Sequence, residues 1–112
     1  MEDGAVTFSQ TTKSSVTMRT IWKFKVVPTP YLRILELPVG AKLLHVGTQE
    51  NTGCLWFEVD TEASKEERFF AVHGTGHEIS DDPSSRKEYV GTYLTYNGAF
   101  VWHVYEVLST ED

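Results

Sequence analysis

YVGTYLTYNGAFVWHVYEV, residues 89–107, decides the fold. Asn97-Gly98 near its centre is the strongest short signal for a β-hairpin, because both turn positions need a positive φ that Asn and Gly adopt at little cost. Residues 89–96 and 99–107 therefore read as two antiparallel strands. In the second, Phe100, Trp102 and Val104 fall on one side and Val101, His103, Tyr105 and Val107 on the other. A strand that is bulky on both faces is central in its sheet or is covered by a partner subunit.

Working back toward the N-terminus, residues 18–26 carry Met18, Trp22, Phe24 and Val26 at even positions and Arg19, Lys23 and Lys25 at odd ones, the period of a strand with one wet face. Pro28 and Pro30 cannot donate to a ladder, so the chain breaks there before a second strand at 31–36. After the turn at 37–40, residues 42–47 and 54–60 read as strands joined by a hairpin turn at 51–53, and strands two to four form a meander. Residues 61–67 are charged and too short for a stable helix, so a loop or single turn is expected. An apolar run resumes at 68–72, and 73–87 is the longest irregular stretch, rich in Gly, Ser and Asp. Seven short strands joined by turns predict an all-β domain, a small antiparallel sandwich or partly open barrel, over residues 18–112. Residues 1–17 hold few large apolar side chains and are expected to form a flexible N-terminal arm.

The composition agrees with this reading, since six Phe, five Tyr and three Trp among 112 residues enrich strand-favouring types. Net charge is −6, but it is polarised: residues 1–47 carry +3 and residues 48–112 carry −9. A net acidic chain repels a phosphate backbone, so nucleic acid is an unlikely partner. No apolar run approaches the roughly 18 residues that span a bilayer, and no membrane association is expected. Cys54 is the lone cysteine, which excludes an intrachain disulfide and favours a cytoplasmic location.

Chemistry-bearing residues concentrate in one loop. His73, Gly74, Thr75, Gly76 and His77, with His103 from the last strand, form the candidate ligand-binding set. Closely spaced glycines let backbone amides approach an anion, but no phosphate-loop lysine or dinucleotide fingerprint accompanies them. Three converging imidazoles could hold zinc, yet His-x-x-x-His aligns its rings only on a helix, which Gly74 and Gly76 oppose. No metal and no cofactor are therefore expected, and the histidines read as hydrogen-bonded residues. Cys54, flanked by Leu55 and Trp56, reads as a small buried side chain rather than an activated thiolate. The basic stripe Arg19, Lys23 and Lys25 and the aromatics Trp56, Trp102 and Tyr105 are candidate interface residues.

RTIWKF at 19–24, GTGH at 74–77 and FVWHVYE at 100–106, in that order, resemble a small domain of unknown function common in tailed-phage and prophage genomes. The resemblance runs from about residue 18 to 107 and implies a phage-encoded protein without an assigned activity. The function expected from all of this is a non-enzymatic accessory protein, a homo-oligomer, that binds a host protein or a small-molecule immune signal. A capsid-decorating protein of the virion is one alternative. A small metal-dependent or nucleotide-processing enzyme using His73, His77 and His103 is another.

Overall fold

The computed structural model describes residues 17–29, 31–80 and 82–109. Seven strands follow one another: β1 (Arg19–Val26), β2 (Arg33–Pro38), β3 (Lys42–Gln49), β4 (Thr52–Asp60), β5 (Lys65–Gly74), β6 (Ser85–Thr95) and β7 (Phe100–Ser109). They pair antiparallel into two sheets, β1-β4-β3 and β2-β5-β7-β6. The architecture is an open sandwich.

Side-chain alternation builds the core between the sheets. Trp22, Phe24 and Val26 point inward from β1, as do Leu55, Phe57 and Val59 from β4, and they meet Leu35, Leu37, Phe70, Val72, Tyr93 and Val104 of the other sheet. Phe57 is the joint between layers, edge-on to Phe24 at 5.8 Å and to Phe70 at 6.0 Å. Arg68 also points inward, at one end of the sandwich. It donates from Nε and Nη2 to both oxygens of Glu106, at 2.7 and 2.9 Å, and from Nη1 to the Ala41 carbonyl at 2.7 Å. The hydrogen bonds it donates to Glu106 raise its pKa, outweighing the opposing effect of burial.

The two long sides of the sandwich differ. On one, β3 meets β6: a Cβ on Gly91 would lie 2.5 Å from Val46, so only glycine lets the edges touch. There Thr48 Oγ1 donates to the Leu94 carbonyl at 2.5 Å. On the other side β1 faces β2 across a cleft of about 590 Å³, bridged at one end by Arg33 Nε donating to the Lys25 carbonyl at 3.4 Å and flanked by Lys65, which stands over the Trp22 ring at 5.7 Å.

Several sequence expectations change. Strands two to four are no meander, because β2 pairs with β5 in the opposite sheet and only β3 and β4 form a hairpin. Residues 65–67 are strand rather than loop: Lys65, Glu66 and Glu67 pair with Pro38, Leu37 and Glu36, and backbone pairing overrides their helix-compatible composition. The turn expected at 51–53 is formed by Glu50 and Asn51, with φ of 52° and 61°, while Gly53 sits inside β4 beneath the Tyr93 ring, which would lie 2.2 Å from a Cβ there. The irregular stretch narrows to 75–84, since His73 and Gly74 end β5 and residues 85–87 open β6. The expected arm, apart from Thr17, lies outside the described residues. Cys54 is buried, as read.

Candidate interaction surface at the loop end

Strand directions bring the turn at 50–51, the turn at 96–99 and the turn after β5 to one end of the sandwich. Asn97 and Gly98 have φ of 56° and 86°, as the hairpin signal requires, but Tyr96 is left-handed too, at 53°. An aromatic residue in that region costs on the order of 1–2 kcal/mol. Its position is over-determined: the Tyr96 N–H donates to Asn51 Oδ1 at 2.7 Å, and its carbonyl accepts from the Ala99 N–H at 3.0 Å. Two left-handed turns from different sheets are thereby stitched together.

The stitched turn presents a ladder of rings. Tyr96 meets Phe100 edge-on at 5.7 Å, Phe100 stacks on Trp102 at 6.1 Å, and Trp102 meets His77 at 6.1 Å. Tyr96 is 64% exposed and Phe100 51%, large values for rings on a built turn. Trp102 is anchored by its Nε1–H donating to Thr95 Oγ1 at 3.0 Å. His77 reaches the ladder through a turn in which its N–H donates to the Gly74 carbonyl at 3.0 Å, with Gly76 at φ +88°, the geometry of a type II turn. A Cβ on Gly74 would lie 2.8 Å from the His77 ring and 3.1 Å from Trp102. Both glycines of the GTGH motif thus serve to fold His77 onto Trp102.

His73 and His103 lie elsewhere, on the outer face of the β2-β5-β7-β6 sheet, where they are directly paired. The His103 ring sits between two hydroxyls, Thr75 Oγ1 at 2.7 Å from Nε2 and Thr92 Oγ1 at 3.1 Å from Nδ1. Thr92 in turn meets the Tyr89 hydroxyl at 2.6 Å. Tyr105 lies edge-on to both His73 and Tyr89 at 5.7 Å. Because β5 and β6 both run antiparallel to β7, the chain must return after Gly74 along the sheet, whose inner face is filled, and residues 75–80 begin that return. They strap the outer face, where Lys87 donates from Nζ to the Ser80 carbonyl at 3.3 Å. Burial, and then the neighbouring positive charges, hold the His73 pKa below its ordinary value.

The predicted ligand set is therefore divided. His73, Thr75 and His103 share the outer face, whereas Gly74, Gly76 and His77 belong to the loop-end ladder with Trp102. The three-histidine convergence required by the metal-enzyme reading does not occur, and no group of three or more potential metal ligands assembles among the described residues. The interface candidates are spread as well. Arg19, Lys23, Lys25 and Trp56 point outward from the β1-β4-β3 sheet, Trp56 beside His45 at 5.4 Å, while Trp102 and Tyr105 lie on different faces of β7.

A family model described as a domain of unknown function, DUF7352, matches residues 18–112. The chain belongs to this family. No curated protein and no solved structure matches the chain. In this DUF7352 domain the residues that sequence reasoning passed over are Asn51, Tyr96 and Phe100. The Asn97-Gly98 signal marked the tip of the hairpin, and the aromatics flanking it were the available clue.

Proposed function

We propose that this DUF7352 domain is a non-enzymatic binding protein that docks a partner protein on its loop end, with Tyr96 and Phe100 as anchors. The observation that carries this reading is the exposed ring ladder held on a left-handed turn. Exposed aromatics whose backbone is already ordered lose little conformational freedom on binding, and such residues dominate interface energetics. The likeness of residues 18–107 to a phage-encoded domain supports a host protein as the partner, encountered in the host cytoplasm.

The test is native mass spectrometry of the tagged full chain purified gently from phage-infected cells, alongside its Tyr96→Ser and Phe100→Ser variants. Each substitution is expected to weaken partner retention by about 2 kcal/mol or more while the melting temperature stays within a few degrees. Partner retained by both variants at wild-type stoichiometry overturns the reading. A bound species of a few hundred daltons in place of a protein would move the function to capture of a small signal.

A further inference from the structure

A second surface, on the opposite side of the domain from the β3–β6 seam, carries its own inference. A sandwich of two open sheets has four edge strands, and an unprotected edge is a template for another strand. Three of the four are blocked. β3 is bulged between Leu43 and His45. β6 is bulged between Tyr89 and Gly91, and its Leu94 carbonyl is taken by Thr48. β2 is six residues long and ends on Pro38, and Arg33 Nη1 donates to its Ile34 carbonyl at 3.3 Å.

β1 differs, keeping unbroken register with β4 over all eight of its residues. In a strand the N–H and C=O of one residue point the same way, alternating along the chain. The Lys25 carbonyl accepts from Arg33 of β2, so the odd-numbered residues face the edge. The peptide groups of Arg19, Ile21 and Lys23 are then presented to an incoming strand, those of Ile21 and Lys23 at the middle of the edge.

Both faces of that edge specify what it takes. On the inner side a new strand would place alternate side chains in the cleft lined by Trp22, Phe24, Ile34 and Leu35, which asks for apolar residues. On the outer side its other side chains would stand beside Arg19, Lys23 and Lys25. Arg19 is paired with Glu58 at 3.3 Å and Lys23 reaches the neutral amide of Gln49, so among the described residues the charges of Lys23 and Lys25 have no carboxylate paired with them. The cleft itself adds Arg33 and Lys65 against Glu36. On a chain of net charge −6, this is a localised positive edge.

We infer that β1 accepts an extended segment of a partner protein in which apolar and acidic residues alternate, added as an eighth strand with its apolar side in the β1–β2 cleft. Main-chain bonds to Ile21 and Lys23 supply affinity, and the alternation supplies selectivity.

The experiment titrates the full chain with a synthetic seven-residue peptide alternating glutamate with valine and phenylalanine, and follows amide hydrogen exchange residue by residue. Protection of the Ile21 and Lys23 amides is expected, with no change along β3. The variant K23E/K25E should lose about tenfold in affinity for this peptide and gain it for the counterpart bearing lysine at each glutamate position. That exchange of preference separates charge recognition from damage to the fold. The inference is overturned if neither peptide protects Ile21 and Lys23, if protection falls on another edge, or if these amides are already protected in the full chain alone. The last result would mean that the chain's own residues or a second copy occupy the edge.

Discussion

At the scale of single residues, the histidines divide by what surrounds them. His103 has a hydroxyl at each ring nitrogen, whereas His73 Nε2 is buried with no hydrogen-bond partner among the described residues. A histidine whose folded pKa lies below its ordinary 6.5 is protonated more readily in the unfolded chain. Its contribution to stability is complete above that ordinary value and is lost as pH falls through the folded one. Thermal unfolding followed by circular dichroism between about pH 7.5 and 5 should therefore show a falling melting temperature, and His73→Phe should flatten the slope. An unchanged slope in the variant would remove His73 from the account. His77 is unlike its neighbour in surroundings, since it is packed on Trp102 and belongs to the proposed docking surface.

Among the elements, the two joined turns matter most. Asn51 combines a left-handed backbone with a side chain that accepts from Tyr96, so Asn51→Ala should lower stability by about 1–2 kcal/mol, through the lost hydrogen bond and the strained φ. Chemical denaturation measures the loss, and exchange of the Tyr96 amide should rise with it. Most of the elements were legible in the sequence because their cues are local. The period of β1, the Asn-Gly turn and the doubly bulky β7 each follow from a few adjacent residues, and β7 is indeed central. Pairing across the sandwich was not legible. Nothing local assigns Arg33–Pro38 to β5 rather than to β3, and Lys65-Glu66-Glu67 becomes strand only because β2 lies alongside. The candidate site suffered the same limit: His73 and His77 are four residues apart, but a type II turn sends them to opposite faces of the sheet.

For the whole molecule, structure and charge are polarised together. On the β3–β6 side the edges touch at Gly91 and are joined by the Thr48–Leu94 and Tyr96–Asn51 hydrogen bonds, beside a groove of about 780 Å³ along the seam, while on the β1–β2 side the edges stand apart across a cationic cleft. One end carries exposed aromatics on stitched turns. The other is held by the Arg68–Glu106 pair and by the Val39 N–H donating to the Ser64 carbonyl at 2.7 Å. A rigid body with one aromatic end fits a binding protein that reorganises little on meeting its partner. The measurement that tests this most directly is hydrogen exchange of the isolated complex with its partner protein, compared with the domain alone. Protection concentrated at residues 96–102 and 74–77 is expected. Protection confined to the 39–41 and 61–64 connections, with residues 96–102 unchanged, would contradict it.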